Sequence, residues 1–258
     1  MSDPLKVLIK LGGTLLDAAD SRRRLAGEIA RAAESTAVVV VHGGGKQMTR
    51  FLAERGIESR FIHGLRVTTP DVIDAVVKVF AGSVNTELVA AFRAAGAQPI
   101  GLSGLDAGLV DAEQLSPDLG QVGRPVRSDG RLLEVLTREG FLPVVACVAG
   151  DAQGAIYNVN ADQMAVACAA GFEAGQLVFL TDVDGVLDGS KRLCPELSIA
   201  DCERLIAEGV ATGGMQAKLN AATSALRQGV GQVRIAPGAA PDALSRLLAG
   251  EELGTRLK

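Results

Sequence analysis

Residues 38–46 read VVVVHGGGK. Four consecutive valines suit a strand buried on both faces, the usual state of a parallel sheet. Residues 46–55 then take up a helical spacing. Between the two, Gly43, Gly44 and Gly45 let the backbone turn tightly and approach a ligand closely. The unpaired N–H groups at such a helix start, together with the helix dipole, suit an anion. The alternative is a turn that only packs the strand against its helix. Gln47 follows Lys46 where a P-loop needs Ser or Thr, and Gln47 and Met48 fill the later positions of a GxGxxG pattern, so neither of those phosphate loops is present.

Outward from this unit the same alternation recurs. Apolar runs at 5–11, 97–102, 142–147, 177–180 and 232–235 read as strands. Residues 21–33, 70–95, 132–139, 162–170, 197–208, 215–227 and 242–248 read as helices, with Pro70 where a first turn accepts proline. Residues 109–127, rich in Gly, Pro and Asp, read as hairpins. This alternation predicts an α/β fold, a mainly parallel sheet covered by helices, with ligands at the carboxyl ends of the strands. A boundary between two lobes falls most naturally at 171–176, and the lobes are expected to share one sheet.

Composition narrows the function. The chain has 258 residues, 48% hydrophobic and 22% charged, the make-up of a folded globular protein. A formal net charge of −4 and 3% aromatics, with no Trp and one Tyr, leave neither a broad basic footprint nor a base-stacking platform, so no nucleic-acid partner is expected. Cys147, Cys168, Cys194 and Cys202 form no CxxC pair, and His42 and His63 are the only histidines. That argues against structural zinc and for a reducing compartment. No apolar run of membrane-spanning length and no leader-like segment is read, so a cytoplasmic protein with no membrane partner is expected.

Five further segments carry candidate chemistry. KLGGT at 10–14 ends the first strand on a lysine and two glycines, which suits polyphosphate oxygens or a tight turn after a solvated lysine. HGLRVT at 63–68 sets an arginine in a short β segment, either to clamp a carboxylate with two parallel hydrogen bonds or to stand in solvent on an edge. YNVNADQ at 157–163 points Asn158 and Asn160 the same way and opens a helix at Asp162, a cap or an anion held between two lysines. TDVDGVL at 181–187 puts two acids and a glycine at a strand end, for a nucleotide or a simple turn. A magnesium cage is not assigned there, because that ion usually keeps water and phosphate ligands. TGGMQAK at 212–218 opens a helix with two glycines and carries Lys218 in its first turns. His42 reads as a packed or hydrogen-bonded residue rather than a base. No Ser-His-Asp or Cys-His constellation is present. The inventory fits phosphoryl transfer, which needs positioning and charge neutralisation more than a covalent nucleophile.

In order and spacing, IKLGG, VVVHGGG, GLRVT, NVNAD, TDVDGVLDG and GGMQAKLNAA resemble the N-acetyl-L-glutamate kinases of the amino acid kinase superfamily, over residues 6–256. The first two and TDVDG are shared across the superfamily; GLRVT with NVNAD is more specific to the acetylglutamate branch. The resemblance implies a three-layer αβα sandwich on an eight-stranded, mainly parallel sheet. Residues 1–173 would bind the acyl-amino acid and dimerise, and residues 174–258 would bind ATP. The reaction implied is phosphorylation of the side-chain carboxylate of N-acetyl-L-glutamate in arginine biosynthesis, with Mg2+ held mainly by phosphates and water and no metal held by the protein.

By motif, Lys10 would stabilise the transferring phosphoryl group, Lys218 would balance charge on the leaving β-phosphate side, and Asp162 would hold both lysines. Gly44 and Gly45 would donate backbone N–H groups to the phosphoryl and the reacting carboxylate. Arg66 would grip the substrate's other carboxylate, and Asn158 with Asn160 would hold the acetylamino portion. Gly12, Gly13, Thr181, Asp182, Val183, Asp184, Gly185, Val186, Leu187, Val210, Ala211 and Thr212 would lie along the nucleotide. The attacking carboxylate is already ionised at neutral pH, so no general base is required.

Two residues depart from the family pattern. Lys46 adds a positive charge where the family often has an uncharged residue, and Leu105 stands where many members have lysine. Arginine-inhibited members carry an extra N-terminal helix that links dimers into hexamers. Nine residues before Lys10 leave no room for it, so a homodimer without strong arginine feedback is expected. The competing readings are a kinase of a related acid, such as N-acetyl-aminoadipate or N-succinylglutamate, and a non-catalytic amino-acid-binding subunit, which loss of Lys10, Asp162 or Lys218 would favour.

Overall fold

In the computed structural model, which describes residues 4–258, the first two apolar runs lie side by side. β1 (Lys6–Leu11) and β2 (Ala37–His42) pair in parallel, Lys10 opposite Val41, with α1 (Ala19–Ala33) connecting them. Every residue of β2 after Ala37 is buried, as a strand covered on both faces requires. α2 (Gly45–Ala53) follows at once, then a small hairpin of β3 (Phe61–Ile62) and β4 (Leu65–Arg66). The helix expected at 70–95 is present as α3 (Pro70–Val76) and α4 (Asn85–Ala94), joined by a π-helical segment, Val77–Val84, which the apolar pattern does not announce.

The middle of the chain supplies β5 (Pro99–Ser103), β6 (Val110–Gln114), β7 (Val122–Ser128), α5 (Arg131–Arg138), β8 (Leu142–Ala146), β9 (Val148–Gly150), β10 (Ile156–Val159) and α6 (Ala161–Gly171). The last third adds β11 (Gln176–Thr181), β12 (Glu196–Leu197), α7 (Ile199–Ala207), α8 (Gly213–Arg227), β13 (Gln232–Pro237), α9 (Ala243–Leu248) and β14 (Thr255–Leu257).

Eight strands form one sheet in the order β12-β14-β13-β11-β1-β2-β8-β5, parallel at every pair except β13–β14. The chain crosses outward from β1 through β2 to β5 and back in the opposite direction through β8, β11 and β13. With right-handed crossovers, reversing direction puts the later helices on the other face. Accordingly α1 packs with α4 and α9, while α6 and α7 pack with α8. The result is the expected α/β architecture of a mainly parallel sheet between helical layers. Strands β11 to β14 fill one half of the sheet and β1, β2, β8 and β5 the other, the halves meeting at the β1–β11 pair.

Several elements differ from the sequence expectation. The hairpins expected at 109–127 are present as β6 and β7, but with β9 and β10 they close into a second, four-stranded sheet. β9 and β10 are too short to show an alternating pattern. The helix expected from 197 begins at Ile199, because Ser198 and Asp201 form a capping box and Glu196–Leu197 is an edge strand. Contrary to the expectation for apolar runs, Pro70–Ala94 is long and apolar enough to cross a membrane by length and composition; here it packs against α1, β5 and β8.

Candidate active site

The chain turns to one side of the sheet after β1 and to the other after β11, so a crevice opens at the carboxyl ends of these neighbours. A cleft of about 570 Å³ lies there. It is lined by Lys10 and Gly12 after β1, by Gly44, Gly45 and Lys46 after β2, by Arg66 of β4, by Thr181, Asp182 and Val183 after β11, and by Gly214 and Lys218 of α8. With Ala161 at the start of α6, residues from six distant segments of the sequence share one cavity.

Three helices, α2, α6 and α8, begin at this cleft. The first N–H groups of a helix have no acceptor within it. Neither Gly44 before α2 nor Thr212 before α8 supplies a side-chain cap, so these amides and the positive ends of both dipoles are left for an anion. α6 differs. Asn160 Oδ1 accepts from the N–H groups of Asp162 at 2.9 Å and Gln163 at 3.3 Å. Asn160 is therefore the cap, and the Asp162 side chain is free for other partners.

Those partners are the two lysines. Asp162 Oδ1 lies 2.7 Å from Lys10 Nζ, and Lys218 Nζ donates to Asp162 Oδ2 at 3.0 Å. Lys10 and Asp162 are buried, Lys218 nearly so. Burial works to raise the Asp162 pKa, but the charges and hydrogen bonds of Lys10 and Lys218 outweigh it and hold the carboxyl below its usual range. The two ammonium groups are thus tied to one central carboxylate.

Arg66 is not the solvated edge residue that the sequence allowed. It is 9% exposed. Its guanidinium donates to Thr49 Oγ1 at 2.8 Å, to Gly45 O at 3.3 Å and to Ser59 Oγ, and stacks 4.6 Å from the Phe61 ring centre. Burial lowers its pKa, and among the described residues no carboxylate pairs with it. A buried cation without an anion is poised for an acidic ligand. Thr49, Ser59 and Phe61 carry no sequence signal of their own; α2 presents Thr49, and β3 with the chain leading into it brings Phe61 and Ser59 to Arg66. Asn158 Nδ2 donates to Thr68 Oγ1 at 3.0 Å, and Thr68 Oγ1 donates to Arg66 O at 2.9 Å, so Asn158 is tied to the arginine's segment but does not line the cleft.

The residues assigned to the nucleotide divide. Gly12, Thr181, Asp182 and Val183 line the cleft, although the Gly12 N–H is engaged by Leu180 O at 3.0 Å. Gly13 opens a short 3-10 turn, Gly13–Leu16. Val186 and Ala211 are buried in the core, and Val186 N–H donates to Thr255 Oγ1 at 2.8 Å. Gly185, at φ 147°, has no room for a side chain: a Cβ would meet Leu193 at 2.7 Å and Thr255 at 2.8 Å. Asp184 and Leu187 are exposed, Val210 is half-buried, and Thr212 immediately precedes α8. None of the seven residues 184–187 and 210–212 lines the cleft. Lys46 lies at the cleft rim, 3.3 Å from Asp17. Leu105 is exposed, away from the cleft, against Gly150.

His42 is fully buried. Its Nδ1 faces Gly43 O at 2.8 Å, and Asn85 Nδ2 lies 3.0 Å from its Nε2 and donates to Val144 O at 2.8 Å. Nδ1–H therefore donates and Nε2 accepts, which ties the glycine turn to α4 and β8. Burial pushes the imidazole down to about 4. The unfolded chain takes up this proton below about 6.5 and the folded chain only below about 4, so stability falls as pH drops through that window. Between about pH 7.5 and about pH 5 the loss from this group should be about 2 kcal/mol. Urea midpoints of the wild type and His42→Gln at both pH values check it; an equal acid loss in both proteins contradicts it. The buried thiols are equally silent: burial raises Cys147 and Cys168 to about 12 and Cys202 to about 11.

Residues 6–237 match the model of the Amino acid kinase family. The chain is 66% identical to the acetylglutamate kinase of Solibacter usitatus, over 98% of this chain and 99% of that one, and 44% identical to that of Rubrobacter xylanophilus, over 98% and 96%. A solved structure, the N-acetylglutamate synthase of Neisseria gonorrhoeae complexed with coenzyme A and N-acetyl-glutamate, matches with a TM-score of 0.87 at 24% identity, over 98% of this chain and 59% of that one, a likeness of fold. With the relay of two lysines and a carboxylate at the mouths of two uncapped helices, these similarities place the chain in the amino acid kinase family, among its acetylglutamate kinases.

Proposed function

We propose that the chain transfers the γ-phosphoryl group of ATP to the side-chain carboxylate of N-acetyl-L-glutamate, giving N-acetyl-L-glutamyl 5-phosphate and ADP in arginine biosynthesis. The observation that carries this reading is Asp162 held between Lys10 and Lys218, two lysines that line one cleft with the uncapped starts of α2 and α8. A carboxylate oxygen attacks phosphorus while the bond to the ADP oxygen breaks. Negative charge on the transferring group meets Lys10 and the amides of Gly44 and Gly45; charge on the leaving side meets Lys218 and the start of α8. Asp162 keeps both ammonium groups in place. Arg66 holds the substrate's other carboxylate, and Asn158 braces the arginine's segment through Thr68. Magnesium enters with the nucleotide, held by phosphates and water.

Residues 1–173 form the acyl-amino-acid lobe and residues 174–258 the nucleotide lobe, where Thr181, Asp182 and Val183 border ATP. The working unit is a cytoplasmic homodimer. The test is ADP release from magnesium-ATP with N-acetylglutamate, N-acetyl-aminoadipate, N-succinylglutamate and free glutamate, each with and without arginine. N-acetylglutamate is expected to be strongly preferred. Preference for another acid moves the substrate assignment, and no turnover with any of them refutes the kinase reading.

A further inference from the structure

A second cavity, of about 550 Å³, lies between β7, α6 and α8, and the proposed reaction does not use it. Its lining includes three basic side chains, His63, Arg124 and Arg127, and no aspartate or glutamate. The basic groups come from two walls: His63 from the turn of the β3–β4 hairpin, the arginines from β7. Gln163, Asn220 and Ser224 add amide and hydroxyl groups, and the buried Oγ of Ser128 has no hydrogen-bond partner among the described residues. Arg124 pairs with Glu113, and Arg127 lies 3.5 Å from Asp111 and 3.7 Å from Asp129; none of these carboxylates lines the cavity. Both arginine side chains are more than half exposed, and pairs of that kind hold so weakly that an incoming anion displaces them.

The cavity stands back to back with the catalytic cleft. Leu65, Asn160 and Ala217 line it, while their chain neighbours Arg66, Ala161 and Lys218 line the cleft. α6 and α8, which hold Asp162 and Lys218, are walls of both. We propose that this cavity is a second ligand site, for a small anion with two or more carboxylates, and that its occupant, by spanning α6 and α8, couples to nucleotide binding through the spacing of Asp162 and Lys218. Two guanidinium groups on β7, with an imidazole opposite them, call for more than one anionic group, and guanidinium forks suit carboxylates.

Calorimetric titration with citrate, without metal, tests the site independently of any kinase activity. One saturable event per chain is expected that weakens at least ten-fold in Arg124→Gln/Arg127→Gln and survives in the cleft variant Arg66→Gln. Absence of binding in the wild type, equal binding in the double variant, or its loss in Arg66→Gln overturns the site. Coupling is read as a five-fold or larger change in the dissociation constant of ATP at saturating citrate, present in the wild type and absent in the double variant. An unchanged constant in the wild type overturns the coupling.

Discussion

Asp162→Asn is expected to lower the stability of the fold by about 3–5 kcal/mol and its melting temperature by about 10 °C, and to abolish turnover. Among the described residues Asp162 is the one carboxylate paired with Lys10 and with Lys218. Both cations are largely out of water, where the attraction they lose is strong and solvent does not replace it. An asparagine keeps the shape but leaves two ammonium groups facing each other. The depressed pKa of Asp162 expresses the same linkage. Its contribution is fully present above the ordinary carboxylate pKa and is lost only as pH falls through the lower folded value. Because polyphosphate replaces the missing negative charge, added ATP should return part of the lost stability. Thermal and urea unfolding measure both effects, and a variant as stable as the wild type would remove Asp162 from the centre of the site.

Lys218→Ala leaves Asp162 paired with Lys10, so the fold should survive, and the damage should fall on the chemistry. In the proposed reaction Lys218 meets charge that grows as the phosphoryl group departs. An interaction made mainly in the transition state appears in kcat more than in KM. The expected loss is about 10²–10³-fold in kcat, or about 3–4 kcal/mol, with a much smaller change in KM for the acid. Steady-state ADP release decides it. Unchanged turnover with intact substrate binding would mean that Lys218 only neutralises Asp162.

The sequence was most legible where chemistry sits at the end of a long apolar strand. VVVV before GGG and LVFL before TD mark two carboxyl strand ends, and the KLGG segment marks a third. Lys10, Asp162 and Lys218 were found through their motifs, although nothing in their spacing says that they touch; crossovers among β1, α6 and α8 make them neighbours. Short or context-made features were not legible. β9 and β10 have three and four residues, too few for a pattern. The close packing of the π-helical segment on the glycine turn, where a Cβ on Gly44 would lie 2.9 Å from Phe80, was not legible either. The Arg66 environment depends on residues gathered from α2 and from the hairpin with the chain leading into it. The two functions allowed at the start of α6 were separated only by geometry, with capping going to Asn160 and ion pairing to Asp162.

β1 lies at the centre of the sheet, yet its two neighbours are made at very different times. β2 emerges soon after it, whereas β11 follows about 165 residues later. At a synthesis rate of roughly 5–20 residues per second, one edge of β1 stays open for on the order of 10 s. Val7, Leu8 and Ile9 have no exposure in the finished fold, so this is an apolar strand with an unsatisfied edge, a template for pairing with the wrong chain. Charged side chains, lysine above all, are what blunt such an edge. On β1 those charges are Lys6 and Lys10. The lysine proposed to meet the phosphoryl group is thus also one of the two charges carried by the nascent strand while its second edge is open.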